Sequence, residues 1–228
     1  MKNFDVSAYL VIGAENTARP VEEVVGMAIR AGFTFVQIRS KISTAREIIS
    51  TLKKCADVIA ALGKSETVAL VVNDRLDIAL AAREAGIKVD GVHVGQSDIP
   101  PEVCRKFLGE NSIVGLSART ENLLEYVKTA DISCVDYFGA GPLHETATKP
   151  DCGKNSNGVV ITRDFDELTA LAKISAIPVV VGGGVKVSDI PALAATGVAG
   201  FFVVSAVAGA ENPYAAAVEL VKAWQICK

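Results

Sequence analysis

Short apolar runs alternate with longer segments of helical period along the whole chain, and eight such pairs can be counted. The runs are rich in Val, Ile and Phe and nearly continuous in apolar residues, which is typical of parallel strands covered on both faces. They predict strands at 8–12, 34–39, 68–72, 91–94, 112–115, 134–138, 178–181 and 200–204. The segments between them predict helices at 20–31, 43–62, 75–85, 100–108, 120–129, 164–175, 188–195 and 213–226.

Several of these helices carry end signals that do not depend on the apolar pattern. Pro20 opens the first helix, and Gly32 stops it. Thr44 and Glu47 match a capping box at the start of the second helix. Asn212 is a capping residue placed directly before a proline at the first position of the last helix.

Eight strand–helix pairs in 228 residues predict one closed (β/α)₈ barrel of the TIM type. A six-stranded doubly wound sheet is the alternative, and it would leave two predicted strands without a place. The chain is 50% hydrophobic and 21% charged, so it can bury a large core. No Pro-rich, Ser-rich or like-charged run divides it, so we expect a single barrel domain over residues 1–228.

Charge and cysteine content narrow the class of partner. A formal net charge of −3 and a pI near 5.5 argue against nucleic acid or an anionic membrane as the main partner. The five cysteines are odd in number and lack any Cys-x-x-Cys, which suggests neither a disulfide framework nor a zinc site. Without a signal segment or a membrane-length apolar run, we expect a cytoplasmic protein. The sequence leaves open whether the protein forms a homo-oligomer.

Polar residues follow the predicted strands at the end where a barrel gathers its chemistry. Gln37, Arg39 and Lys41 recur with period two at the end of strand two and therefore point into the barrel mouth. The alternative is that Arg39 and Lys41 only extend to water at the rim. Ser117 ends strand five on the same rim.

Two carboxylates follow neighbouring strands. Asp74 comes after Asn73 at the end of strand three, and Asp98 follows strand four. Each could merely cap the next helix. Together they can hold Mg²⁺, a hard cation that takes oxygen ligands and often bridges to substrate phosphates.

The stretch 136–153 has the composition of a phosphate cradle. Gly139 and Gly141 are expected to take positive φ and to bring the backbone close to a ligand. Thr146, Thr148 and Lys149 supply two hydroxyls and a cation suited to phosphate oxygens. A solvated turn that happens to hold threonines is the alternative.

A second phosphate pocket is predicted after strands seven and eight, where the triplet 182–184 and Ser205 lie. Barrels often hold a phosphate there against backbone N–H groups, although a tight turn would also explain three glycines. The cations near the first site would neutralise a diphosphate. Two anionic substrates, one with a leaving group, imply group transfer.

His93, within an apolar strand, is interpreted as a hydrogen-bonded core histidine.

Taken in order, these elements resemble the thiamine phosphate synthase family from Tyr9 to about Ala208. Each motif is weak singly, but the ordered set on successive strands is specific. The matching elements are Val36-Gln37-Ile38-Arg39-Ser40-Lys41, Asn73-Asp74-Arg75, the segment 91–98, Gly115-Leu116-Ser117, Gly139-Ala140-Gly141-Pro142, Thr146-Ala147-Thr148-Lys149, Gly183-Gly184-Val185 and Val204-Ser205.

The resemblance implies a transferase that joins 4-amino-5-hydroxymethyl-2-methylpyrimidine diphosphate to a thiazole phosphate and releases diphosphate. It implies a dissociative displacement assisted by Mg²⁺ on Asp74 and Asp98, with small molecules as the partners. Arg39, Lys41, Ser117 and Lys149 would act on the leaving group. The implied substrate-binding residues are Gln37, Ile38, Arg39, Ser40, Lys41, Asn73, Ser117, Thr146, Ala147, Thr148, Lys149, Gly184, Val204 and Ser205.

Two departures from the family pattern leave rival functions to weigh. Many relatives have histidine where this chain has Arg119, and 143–145 replaces commoner apolar residues. A thiazole tautomerase of the same fold looks to use a histidine near that position and often lacks the diphosphate set, which is complete here. A non-catalytic phosphate-binding protein is the other rival, and loss of a metal carboxylate would have favoured it.

Overall fold

Eight parallel strands close into one barrel in the computed structural model, which describes residues 3–146, 153–155 and 157–228. β1 pairs with both β2 and β8, so the sheet has no open edge. This confirms the predicted (β/α)₈ barrel and excludes the doubly wound alternative. The strands are β1 Ala8–Ile12, β2 Phe35–Ile38, β3 Ala69–Asn73, β4 Gly91–Val94, β5 Ile113–Ser117, β6 Tyr137–Ala140, β7 Val179–Val181 and β8 Gly200–Val203.

All eight predicted helices are present, with ends within three residues of the predicted ones. They are α1 Val21–Ala31, α2 Ala45–Ala61, α3 Leu76–Glu84, α4 Pro101–Leu108, α5 Leu123–Thr129, α6 Phe165–Ile174, α7 Ile190–Ala195 and α9 Pro213–Ile226. A short helix that was not predicted, α8 Ser205–Ala208, follows β8 directly. Two 3₁₀ turns, Ala14–Asn16 and Val187–Asp189, complete the regular structure of the described residues.

The end signals act as predicted. Gly32 ends α1 at φ 112°, in the left-handed region that favours glycine. The Thr44 side chain accepts from the Glu47 N–H, and the Glu47 carboxylate accepts from the Thr44 N–H. The Asn212 side chain accepts from the N–H of Ala215 at the start of α9. Local hydrogen bonds therefore fix these boundaries.

β6 begins at Tyr137, three residues later than predicted. The N–H of Val135 donates to the carbonyl of Ile132, which closes a turn just before the strand. Gly139 therefore lies inside β6, and the expectation that it turns the chain with positive φ is wrong. The same expectation is confirmed for Gly141, whose φ is 156°.

Buried residues form two layers on either side of the sheet. The larger layer fills the space between strands and helices. The smaller layer fills the barrel and is rich in aromatic rings, among them Tyr9, Phe35 and Tyr137, with Phe4 and Phe202 packed against it. Because side chains alternate along each strand, residues 9, 35 and 137 fix which positions face the barrel interior.

Two ion pairs close the N-terminal end of the barrel. Asp136 precedes β6, accepts from the N–H of Val114 on β5 and pairs with Arg105 at 2.7 Å. Asp90 precedes β4, accepts from the N–H of Leu70 on β3 and pairs with a lysine, Lys88. Each carboxylate thus ties its strand to the neighbouring strand, at the end of the barrel away from the predicted site.

No helix among the described residues is long and apolar enough to cross a membrane.

The four cysteines in the described part of the chain, Cys55, Cys104, Cys134 and Cys227, are free thiols. Burial raises the pKa of the Cys104 thiol to about 11, with the nearby Glu102 carboxylate adding to the effect. That thiol therefore stays protonated and unreactive near neutral pH.

Candidate active site

A cavity of about 400 Å³ opens at the C-terminal end of the barrel, and all eight strands contribute to its lining. Its size is typical of a small-molecule site. It brings together most of the residues predicted to form the site. The lining includes Gln37, Arg39, Lys41, Asn73, Asp74, Asp98, Ser117, Thr146, Gly184, Val204 and Ser205.

The remaining predicted residues lie elsewhere or outside the described residues. The Ile38 side chain is 2% exposed and packs between sheet and helices, so only its backbone can face the cavity. The Ser40 hydroxyl bonds Ser43 and organises the loop after β2. Ala147, Thr148 and Lys149 lie outside the described residues.

Neither of the two carboxylates predicted to hold Mg²⁺ caps a helix. α3 begins after Arg75 and α4 after Pro100, both without a side-chain cap. Asp74 instead holds φ 60°, unusual for a residue other than glycine, and its N–H donates to the carbonyl of His93 at 2.8 Å. Asp98 Oδ2 accepts from the N–H of Gly95 at 2.8 Å. The capping alternative is thereby removed for both residues.

Two donors meet one oxygen of Asp74. Lys41 Nζ and Asn73 Nδ2 each lie 2.6 Å from Asp74 Oδ2. The Asp74 side chain is 16% exposed, whereas that of Lys41 is 58% exposed. A long, exposed lysine can turn from this carboxylate to a ligand phosphate at little cost, because its ammonium is a point charge on a flexible stem.

Asp74 and Asp98 shift each other's ionisation. Burial alone would raise the pKa of Asp74, but hydrogen bonds from Lys41 and Asp98 and the Lys41 charge bring this pKa below its ordinary value. Burial raises the pKa of Asp98, and the neighbouring negative charge of Asp74 raises it further. Two carboxylates held this close favour a cation that neutralises both.

The donor set fits Mg²⁺. Among the described residues, no cluster of three or more His, Cys, Asp or Glu side chains could hold a metal ion. The chain offers the two carboxylates of Asp74 and Asp98, so phosphate oxygens and water must supply the remaining ligands. Mg²⁺ is commonly bound in this way, through one or two carboxylates plus substrate phosphates.

A chain of buried hydrogen bonds lies beneath the cavity. It runs from Gln37 through Tyr9, Tyr137 and His93 to Ser117. The interpretation of His93 as a hydrogen-bonded core histidine is confirmed, since it is 9% exposed and both ring nitrogens are bonded. Sequence reasoning did not single out the two tyrosines. The sequence feature that could have identified them is a hydroxyl on an aromatic residue at a strand position that faces the barrel interior.

The glycine triplet packs against the loop after β6. Gly183 and Gly184 hold φ 84° and 73°, and a Cβ at either would meet Pro142 or His144 within 2.9 Å. Leu143 and His144 donate backbone N–H groups to the Gly183 carbonyl. Only glycine fits this contact, which joins two loops over one side of the cavity.

Several known proteins similar to this chain are described as thiamine phosphate synthases. Residues 8–207 match the family model described as thiamine monophosphate synthase. Thiamine-phosphate synthase from Corynebacterium efficiens is 40% identical over 92% of this chain and 90% of its own length. Thiamine-phosphate synthase from Vibrio parahaemolyticus is 37% identical over 92% of this chain and 93% of its own length. The solved thiamine phosphate pyrophosphorylase from Pyrococcus furiosus superposes with a TM-score of 0.78 at 29% identity, covering 97% and 96% of the two chains.

Proposed function

This chain belongs to the thiamine monophosphate synthase family and is therefore a transferase that forms thiamine phosphate; we propose that its substrates are 4-amino-5-hydroxymethyl-2-methylpyrimidine diphosphate and a thiazole phosphate. One observation carries the proposal. The paired carboxylates Asp74 and Asp98 share one cavity with the cations Arg39 and Lys41. A diphosphate leaving group needs this combination of metal ligands and positive charge.

The chain's own residues would bind and align the two reactants. Arg39 and Lys41 face the cavity and would hold the diphosphate oxygens, and Ser117 would donate a hydrogen bond from the opposite wall. Gly184, Val204 and Ser205 line the other side and would receive the thiazole phosphate. The cavity would therefore hold the two reactants side by side, with the attacking nitrogen facing the carbon that loses diphosphate.

Asp74 and Asp98 would hold Mg²⁺, which when bound supplies positive charge to the departing diphosphate. The Ser117 hydroxyl lies 2.9 Å from His93 Nε2, but in the proposed arrangement it would face the departing diphosphate and not the methylene carbon, so it would not act as a nucleophile. The proposed step is accordingly a dissociative displacement. The bond from the pyrimidine methylene to the diphosphate oxygen breaks, and the thiazole nitrogen then forms the new bond with its own electron pair. Catalysis would rest on charge stabilisation and alignment.

The reaction would take place in the cytoplasm with small molecules only. Its test is diphosphate release, measured with each substrate alone, with both together, and with and without Mg²⁺. We expect release only when both substrates and the metal are present. Turnover of a thiazole carboxylate phosphate without diphosphate or metal would indicate the tautomerase instead, and binding without turnover would indicate the non-catalytic rival.

Lys149→Ala is expected to raise KM for the pyrimidine diphosphate about tenfold or more, with a smaller effect on KM for the thiazole phosphate. Loss of a hydrogen bond to a charged group costs about 1.5–3 kcal/mol, which is the basis of that figure. Steady-state kinetics with each substrate varied in turn would measure both values. Equal effects on the two KM values would contradict the proposed division of the site.

Ser205→Ala is expected to show the reverse preference, raising KM for the thiazole phosphate by roughly two- to tenfold. The change is smaller because one neutral hydrogen-bond donor contributes about 0.5–1.5 kcal/mol. The same two-substrate kinetics would measure it. A rise of KM only for the pyrimidine diphosphate would contradict the assignment of Ser205 to the thiazole phosphate.

A further inference from the structure

Five polar side chains cross the barrel interior in one unbroken series of hydrogen bonds. Gln37 Nε2 lies 2.7 Å from the Tyr9 hydroxyl, which lies 3.0 Å from the Tyr137 hydroxyl. The Tyr137 hydroxyl lies 2.9 Å from His93 Nδ1, and His93 Nε2 lies 2.9 Å from Ser117 Oγ. We call these five residues the interior relay. It links β2 to β5 through residues on β1, β6 and β4.

The interior relay lies on the floor of the cavity, and glycines make room for it. Tyr137 is 0% exposed, and a Cβ at Gly115 would stand 2.2 Å from its ring. The ring of His93 passes Gly139, where a Cβ would stand 3.1 Å from Cε1. Tyr9 and His93 line the cavity from below, and both ends of the relay, Gln37 and Ser117, line it as well. The relay is therefore a built connection between two walls of the proposed diphosphate site.

Each tyrosine of the relay carries one proton to donate. Burial raises the pKa of both phenols, Tyr9 and Tyr137, far above neutrality, so both stay protonated. A protonated phenol donates one hydrogen bond and accepts others. When each hydroxyl gives its one proton to the next member of such a series, all the bonds run in the same direction.

The first bond is donated by Gln37, because its Nε2 amide faces the Tyr9 oxygen and an amide nitrogen only donates. In the direction that Gln37 sets, Tyr9 donates to Tyr137, and Tyr137 donates to His93 Nδ1. A ring nitrogen that accepts carries no proton, so His93 holds its proton on Nε2 and donates it to Ser117 Oγ.

We propose that Tyr137 and His93 are positioning residues that act through Ser117. With one oxygen lone pair used by His93 Nε2–H, the Ser117 hydroxyl turns its own proton toward the cavity and donates to the departing diphosphate oxygen. The opposite direction would make Ser117 donate to His93 and present only lone pairs to an anion. This inference rests on the proposed function for its catalytic meaning, whereas the direction of the relay rests on the hydrogen bond that Gln37 donates.

The direction of the relay is tested by ¹⁵N NMR on the full-length protein labelled at histidine. The chain has two histidines, so the variant His144→Gln leaves one imidazole and assigns the signals. We expect His93 to be protonated on Nε2 and unprotonated on Nδ1. A proton on Nδ1, alone or together with one on Nε2, would overturn the proposal. This measurement requires neither substrate nor a change in the relay.

The role in catalysis is tested by Tyr137→Phe, which keeps the ring beside Gly115 and removes only the hydroxyl. We expect kcat to fall about 10- to 100-fold, because the Ser117 donor loses its fixed direction, while both KM values change less than about threefold. Tyr214→Phe makes the same chemical change on the exposed side of α9 and serves as the matched control.

The outcomes separate this inference from the proposed function. A wild-type protein that fails to release diphosphate contradicts the proposed function, while the NMR result still decides the direction of the relay. An active wild type with an unchanged kcat in Tyr137→Phe contradicts the positioning role. Thermal unfolding of the variant checks that the fold is retained, and if it is lost, the wild-type tautomer decides the proposal.

Discussion

Replacing Asp74 by asparagine is expected to lower kcat by about a thousandfold, and Asp98→Asn is expected to do the same. Each change removes one of two carboxylates that would hold Mg²⁺, and loss of transition-state charge stabilisation in an enclosed site typically costs about 10²–10³ in kcat. The amide keeps the shape of the side chain, so the loss would report on charge. Diphosphate release at saturating substrates measures it.

The Mg²⁺ dependence distinguishes a metal ligand from a packing residue. Raising Mg²⁺ should partly restore Asp98→Asn, because Asp74 would still bind the ion. Asp77→Asn, three residues from Asp74 but 60% exposed at the side chain, is the control and should keep its rate. Near-normal turnover of Asp74→Asn at low Mg²⁺ would show that the metal assignment is wrong.

Asp136→Ala is expected to lower the free energy of unfolding by about 3–5 kcal/mol, since removing one partner of a buried ion pair leaves the other charge uncompensated. The side chains of Arg105 and Asp136 are 8% and 10% exposed. Arg105 also donates to the carbonyl of Ser112 at 2.6 Å, and Asp136 accepts from the N–H of Val114. Removal of this carboxylate thus deletes one of the hydrogen bonds that join β5 to β6, beside their backbone ladder. Urea unfolding followed by circular dichroism measures the loss.

An exposed pair provides the matched control for Asp136→Ala. Lys53 and Asp57 lie on α2, with both side chains 63% exposed, so Asp57→Ala should cost less than about 1 kcal/mol. Because Asp136 lies at the N-terminal end of the barrel, kcat of the folded variant should stay near the wild-type value at low temperature. A severe loss of kcat without a loss of stability would contradict a purely structural role.

Much of the fold was predictable because its signals are local. A few neighbouring residues suffice to recognise the apolar run Ala8–Ile12 and the capping pair Thr44 and Glu47. The start of β6 was not predictable in the same way. Cys134 and Val135 are apolar enough for a strand, but the turn bond from the Val135 N–H to the Ile132 carbonyl holds them outside the ladder.

The candidate site was predictable where one general rule of barrels places it. Polar residues at the ends of parallel strands meet at one rim, and Lys41 and Asp74 do meet there, 2.6 Å apart. The rule does not tell which way a carboxylate turns. That neither Asp74 nor Asp98 caps a helix became clear only from the backbone around them.

The sequence by itself determined the strand and helix order, the barrel and the polar residues at its rim. The spacing of apolar residues and the Gly, Pro and capping residues at the ends of elements are properties of neighbouring residues. Only the tertiary structure decided which distant groups share a bond. Tyr9 and Tyr137 are separated by 128 positions, and their hydroxyls meet because closure of the barrel sets the register of β1 against strands across its interior. That register depends on every intervening strand pair, so no local pattern contains it.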